Sequence, residues 1–453
     1  MRTFPILAVM TSFLWAQSPT QNLAEVKPSP QQLAWQELEF GALIHLGPNT
    51  FLNQETGDGS ADPNVFQPSD LDPEQWVLAA KAAGARYIVL VAKHEDGFCL
   101  WPTKTTSYSV KQSRWQNGRG DVVKEVAAAA RRHGLKFGLS LSAVDRHEVL
   151  PRDPKIYDRL YTAQLRELTQ NYGDLLEMGI DGVDADGQSY DFESYLRALR
   201  TQQPNTIVVG RLDFLPVGDA RGSSPGPGEN WNVVDQMGAL RWRPGVVRMP
   251  LREQQWFWHP ASEAKLKTVD QLIEAYHKSV GRGYQLVLGL APDQRGLLPE
   301  VDVARLRDFG DAIGKLYGKN LATRAHKYQI EGGPTEKTAI DGDPETAWFG
   351  YSGRRTATLS MSFPDPIVFD RLVMMEWLND GQKIQRYRIQ SRLGNSWTTI
   401  AEGSSVGHRR IEQMAITTSQ ELRIELTTSS GAPALREFQI FHGGGDHQVS
   451  RIY

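Results

Sequence analysis

The sequence predicts an α/β chain in two parts, a (β/α)8 TIM-like barrel followed by an all-β sandwich. From about residue 35 to 320, short apolar strands alternate with helical patterns, which implies a parallel sheet covered by helices. Seven or eight such units in this span suit a barrel better than an open doubly wound sheet. After about residue 322 the helical period gives way to strict alternation of apolar and polar residues, the pattern of half-buried antiparallel strands.

The chain opens differently. Arg2 precedes "FPILAVMTSFLWA", an uncharged apolar stretch too short to span a bilayer, and small or polar residues follow at Ala16, Gln17 and Ser18. Residues 1–18 read as a secretory signal peptide, removed from the fold and implying a secreted or periplasmic protein. The barrel is expected over residues 30–322. Its strands are "FGALIHL" (40–46), "RYIVLVA" (86–92), "LKFGLSLS" (135–142), "GIDGVDAD" (179–186), "TIVVGR" (206–211), "VVRMPL" (246–251) and "YQLVLGLA" (284–291). Helices lie between them, several opening on Asp and closing on Gly, the residues that cap the two ends. No Gly-x-Gly-x-x-Gly follows the first strand, which argues against a dinucleotide site.

The sandwich is expected over residues 323–453, with strands "TATLSMSF", "DRLVMMEW", "QRYRIQSR", "WTTIAEG", "LRIELTT" and "EFQIFHG". In "ELRIELTT", Leu422, Ile424 and Leu426 share one face, Arg423 and Glu425 the other.

Net charge is −3 and the pI is about 6.4, so no basic excess points to nucleic acid or an anionic membrane. Cys99 is the only cysteine. It can form no intramolecular disulfide and no cysteine metal cluster, and its apolar context suits an inert buried thiol.

The second strand raises the functional question. "IVLVA" is built for burial, yet Lys93, His94, Glu95 and Asp96 follow with no turn between. In a (β/α)8 barrel the C-terminal ends of the strands form the active-site face. Polar residues recur at the other ends: His45 after strand one, Asp145, Arg146 and His147 after strand three, Asp184 and Asp186 on strand four. Arg252, Trp256, Phe257 and Trp258 follow strand six. Tryptophan faces stack on the C–H face of a pyranose, and His, Asp and Arg bind its hydroxyls. The competing reading is a solvated charged rim. A barrel metal site is disfavoured, because strand one lacks His-x-His and no His-Glu-x-x-His occurs.

With those stretches in view, the chain resembles glycoside hydrolase family 29, the α-L-fucosidases, and within it the branch that prefers α-1,3/1,4-linked fucose. "FGALIHLGPNTF", "YIVLVAKHEDGFCLWPTKTTSYSV", "YTAQLRELTQNYGDLLEMGIDGVDADG" and "WFWHPASEAKLKTVDQLIEAYHKSVGRGYQLVLGLAPDQRGLL" carry the resemblance over nearly the whole mature chain. It implies retaining hydrolysis by two carboxyl groups about 5–5.5 Å apart. It assigns the nucleophile to Asp186 in "VDADG", where the family has Trp-Phe-Asp-Gly. It assigns sugar contacts to His45, Glu55, His94, Glu95, Asp145, His147, Arg252 and Trp256, with His259 in the same segment.

Three positions depart from the family pattern: Glu95 replaces a second histidine, Thr56 a tryptophan, and Ala220 the acid/base glutamate. Ala220 lies in "PVGDARG" and cannot donate a proton, so Asp219 or Glu229 is the candidate acid/base. The alternative is a weakened or glycan-binding member with altered sugar specificity.

The C-terminal part resembles a discoidin-type, carbohydrate-binding-module-like sandwich through "AIDGDPETAW", with Asp341, Asp343 and Trp348. That resemblance allows a structural calcium in the sandwich, and none in catalysis. The expected partner is a fucosylated oligosaccharide or glycoconjugate, with no nucleic acid and no membrane.

Overall fold

The computed structural model describes residues 26–148, 154–182, 190–209, 215–216, 232–234 and 240–443. The barrel strands are β1 (Phe40–Ile44), β2 (Tyr87–Lys93), β3 (Lys136–Ser142), β4 (Glu177–Asp181), β5 (Ile207–Val209), β6 (Leu215–Pro216), β9 (Gly245–Pro250) and β10 (Gln285–Leu290). They form one curled parallel sheet in the order β5-β4-β3-β2-β1-β10-β9-β6. A separate antiparallel hairpin, β7 (Asn232–Val234) with β8 (Leu240–Trp242), precedes β9. All seven expected strands are present. The eighth, β6, is two residues long and too short to carry a periodic signal.

Helices α3 (Pro73–Ala82), α4 (Val122–Arg132), α5 (Pro154–Asn171), α6 (Phe192–Gln202), α7 (Val269–Ser279) and α8 (Glu300–Tyr317) cover the outer face, while α1 (Pro30–Gln36) sends Trp35 into the sheet interior and the short α2 (Pro48–Leu52) follows β1. Their starts follow the expected chemistry. Asp72, Asp121 and Asp191 accept backbone N–H groups at the N-termini of α3, α4 and α6, and Thr268 with Gln271 forms a capping box on α7, satisfying donors a helix start leaves open.

Strand parity sorts the core. Phe40, Ala42, Ile44, Ile88, Leu90, Phe137, Leu139, Met178, Val247, Leu286 and Leu288 face the helices. Leu43, Tyr87, Val89, Val91, Ile207, Val209, Val246 and Val287 fill the interior of the curled sheet. This is the two-sided burial that makes parallel strands apolar throughout.

Strand four departs from expectation. It begins at Glu177 and stops at Asp181, rather than running from 179 to 186. Gly182 sits at φ +81°, and a Cβ there would come within 2.8 Å of Val144 Cγ2. The chain therefore turns after Asp181 at a residue that tolerates left-handed backbone.

The second part comprises β11 (Lys327–Glu331), β12 (Trp348–Phe349), β13 (Thr356–Glu376), β14 (Ile384–Arg392), β15 (Trp397–Gly403), β16 (Arg410–Thr428) and β17 (Ala434–Phe441). Two expected strands, 356–363 and 370–377, are one: β13 continues through register shifts between Ser362 and Ile367 and between Phe369 and Arg371. Its first half pairs with β11 and its second with β17, while β16 runs antiparallel to both halves. These long strands join two layers around Trp348, Leu359, Phe369, Tyr387, Ile424 and Phe438. Trp348 is fully buried and donates Nε1–H to the Pro334 carbonyl at 2.8 Å, a structural role.

The sandwich is tied to the end of the sheet remote from His45. Arg409 Nε and His408 Nε2 meet Glu39 Oε1 at 2.6 and 3.0 Å, and Arg436 pairs with Glu37. Burial alone would raise the Glu39 carboxyl, but Arg409 and His408 hold it at about 2. For the calcium expectation, Asp341 accepts the Asp343 N–H and the Thr346 hydroxyl, and Asp343 accepts the Glu345 N–H. Both carboxylates serve their own turn. Among the described residues no group of three His, Cys, Asp or Glu side chains is placed to hold a metal ion.

Candidate active site

A cavity of about 350 Å³ opens at the C-terminal ends of the barrel strands. Parity decides what enters it. On β1, Leu43 faces inward, and His45 follows two residues on. On β3 the inward positions are Ser140 and Ser142, on β4 Glu177 and Asp181, and on β9 Arg248. Thr56, Glu55, Glu95 and Trp256 complete the wall from the loops. A wider groove between α5 and α6 lies on the outer wall, lined by charged side chains and away from the strand ends.

Strand β2 breaks the parity rule. Val91 faces inward, so Lys93 should too, with His94 outside. The ladder to β3 instead skips Ala92, pairing Val91 with Ser140 and Lys93 with Leu141. This irregularity re-aims the two side chains, as a bulge does. The Lys93 ammonium points to the helix side, where Asp145, Gln164 and Tyr157 surround it at 2.8, 3.0 and 3.2 Å. His94 turns into the cavity.

There the His94 ring lies 5.9 Å from His45 and 5.0 Å, edge to face, from Phe257. His45 also touches Trp256 and Phe257, at 5.1 and 5.4 Å. Trp256 fits because position 289 is glycine: a Cβ there would sit 2.7 Å from the indole. Burial pushes the His45 imidazole well below its ordinary range, and His94 and Arg248 push the same way. His94 is also lowered by burial, against the pull of Glu95, Asp181 and Glu55. Both rings are therefore neutral at neutral pH, and each offers one donor and one acceptor. His45 Nδ1, His94 Nδ1 and Ser142 Oγ have no hydrogen-bond partner among the described residues. With the Trp256 face beside them, these atoms suit a small polyhydroxylated ring with one apolar side.

Among the described residues, the three carboxylates in this wall differ in freedom. Glu55 is committed: Oε2 accepts the Trp256 N–H at 2.9 Å, and Oε1 meets the Phe257 N–H at 3.4 Å and His259 Nε2 at 2.7 Å. It holds the aromatic segment over the cavity. Asp181 accepts the Ser140 hydroxyl on one oxygen and Arg248 Nη1 at 3.3 Å on the other. Its side chain keeps 46% of its exposure, so a small molecule can reach it. Glu95, at the rim, pairs with Arg146 at 2.9 Å.

Of the expected sugar contacts, His45, Glu55, His94, Glu95 and Trp256 are brought together. Asp145, His147 and Arg252 are not among the residues lining the cavity. Asp145 is fully buried against Lys93 on the far side of the strand wall. His147 stacks on Tyr108 at 4.2 Å and bonds the Gly59 carbonyl through Nδ1. Arg252 is buried, forked onto Asp302 at 2.6 and 3.2 Å and onto Ser262 at 2.8 Å. A charged residue past a strand end is as readily used to tie a loop down as to meet a ligand. Asp186, its neighbour Asp184, Asp219, Ala220 and Glu229 lie outside the described residues.

Asp181, Arg248, Ser140 and Ser142 were not expected in the site. The signals were present: Arg248 interrupts "VVRMP", Ser140 and Ser142 share parity in "LSLS", and Ile180-Asp181-Gly182 is an apolar-Asp-Gly triplet five residues before the one chosen.

Comparisons with known proteins point to one family. The α-L-fucosidase family profile matches residues 60–318. α-L-Fucosidase 1 of Arabidopsis thaliana is 33% identical over 414 residues, covering 85% of this chain and 81% of its own. A Ruminococcus gnavus GH29 fucosidase, solved in complex with fucose, superposes with a TM-score of 0.86 at 25% identity, over 93% of this chain and 96% of that one. A glycoside hydrolase 29 family member from a rumen bacterium gives 0.81 at 29% identity, over 94% of this chain and 79% of that one.

Proposed function

The chain belongs to the α-L-fucosidase family and is a glycoside hydrolase; we propose that it removes terminal α-L-fucose from oligosaccharides or glycoconjugates, with retention, using Asp181 as its nucleophile. In this reading Asp181 takes the role first given to Asp186. One observation carries it: Asp181 ends β4 inside the cavity that holds both neutral histidines, reachable from solvent and flanked by donors.

The reaction runs in two displacements. Asp181 attacks the anomeric carbon as the bond to the leaving oxygen breaks, and a second carboxyl group protonates that oxygen. The same group, now a carboxylate, takes a proton from water, which cleaves the glycosyl ester and frees Asp181. Asp219 or Glu229 is the candidate for that group. His45, His94 and Ser142 bind ring hydroxyls, and Trp256 packs on the apolar face. No cofactor takes part. The α-1,3/1,4 preference rests on the resemblance to that branch of the family, and export to the periplasm or medium on residues 1–18.

Asp181→Ala tests the nucleophile. Activity on an aryl fucoside should vanish, and azide, which can enter the freed space and attack the same carbon, should restore turnover as a β-fucosyl azide. An active, azide-insensitive variant would remove Asp181 from the role.

Ala220 favours a second reading, a weakened member lacking an effective acid. An aryl fucoside needs little protonation of its leaving group, whereas a natural linkage needs it fully. Turnover of the aryl compound with none across a panel of fucosylated oligosaccharides supports that reading. Release from an α-1,3 or α-1,4 linkage refutes it.

A further inference from the structure

We propose that Glu177 is a positioning residue, which through Arg248 sets how firmly the Asp181 carboxylate is held; the inference rests on Asp181 being the nucleophile. Glu177 and Asp181 are four residues apart on β4 and share its inward face, with only Gly179 between them on that face. Arg248 reaches across from β9 to both. Nη1 is 3.3 Å from Asp181 Oδ1, and Nη2 is 4.0 Å from Glu177 Oε1.

Neither distance is that of a committed pair. A guanidinium with one carboxylate normally forks onto it at about 2.7–2.9 Å. Arg248 is divided between two acceptors and grips neither closely. Glu177 is fixed from below, its other oxygen accepting Trp35 Nε1–H at 2.8 Å, and its side chain is 2% exposed.

The surroundings leave Arg248 as the cation balancing Glu177. Trp35 faces it from α1, and Tyr87 from β2, its hydroxyl turned to Gln285 of β10. Asp181 shares its own strand, and Ser140 of β3 is spent on Asp181. On the cavity side Arg248 faces the neutral His45. Burial raises the Glu177 carboxyl, while Arg248 and the Trp35 indole oppose that rise.

The consequence is chemical. A carboxylate locked onto a guanidinium is a poorer nucleophile than one lightly held, because its electron pairs are committed. Drawing Arg248 toward Glu177 leaves the Asp181 carboxylate only lightly held and free to attack.

Glu177→Gln removes the competing charge and lets Arg248 close on Asp181. The acid limb of kcat/KM for an aryl fucoside should move down by about one pH unit, the low end for a charge at this range. kcat should fall while KM holds, and Glu177→Asp should recover part of both. Trp35→Phe should act in the same sense but more weakly: without the indole hydrogen bond the Glu177 carboxyl holds its charge less readily and draws Arg248 less. If both variants keep the wild-type limb and kcat and lose only thermal stability, Glu177 is structural and the inference fails. Asp181→Ala separates the two levels: if that variant stays active, the nucleophile assignment itself is wrong.

Discussion

The Lys93 ammonium lies 2.8 Å from the Asp145 carboxylate, and both side chains are fully buried. This pair sits behind the wall that presents His94. Tyr157 and Gln164 of α5 complete its shell, so a stretch that looks like four ligands in a row is half anchor and half site.

Breaking the pair should therefore cost stability first. Lys93→Met leaves Asp145 buried without a counter-charge and should destabilise the fold by about 3–5 kcal/mol. Lys93→Met with Asp145→Leu should recover much of it, because no lone charge remains. Denaturant midpoints of the two single variants and the pair measure the coupling; additive effects would refute it.

Arg252 should behave as a structural residue. Arg252→Ala strands Asp302 and should lower stability by a similar amount, about 3–5 kcal/mol, while the folded fraction keeps its KM. A raised KM at unchanged melting temperature would return Arg252 to the sugar site.

Glu55 should act through Trp256. Glu55→Gln replaces one acceptor oxygen with a donor facing N–H groups, a loss of about 1.5–3 kcal/mol for a bond to a charged group. KM should rise roughly tenfold or more, with a change in tryptophan fluorescence. A collapse of kcat at constant KM would instead make Glu55 a proton donor.

The junction between the two parts should be acid-sensitive. Glu39 is held at about 2 against an ordinary value of 4.5. A depressed carboxyl stabilises the fold above its unfolded value and loses that contribution as pH falls from 4.5 toward 2. The amount is on the order of 3 kcal/mol. Glu376, fully buried and pushed up to about 7, works in the other direction, losing its contribution as pH rises from 4.5 through 7. Arg409→Met should reduce stability at pH 6 and flatten the loss below pH 4.5. A wild-type acid profile in that variant would show that the pair contributes nothing.

Much of this was legible in the residues. The seven apolar strands, the helix caps and the change of period near residue 322 are local signals, written by burial and backbone chemistry within a few residues of each position. That His45, Glu55, His94 and Trp256 line one cavity was legible because the motifs that carry them are short and continuous.

Which side of a strand a side chain takes was decided by tertiary structure. One irregular step at Ala92 reversed Lys93 and His94. A turn at Gly182 ended β4 at Asp181, ahead of the aspartates that motif matching had favoured. Asp145 and Arg252 were drawn into burial by Lys93 and Asp302, partners 52 and 50 residues away. Strand parity resets with a single residue, and a charge follows whichever counter-charge the fold brings near. Composition fixes neither in advance.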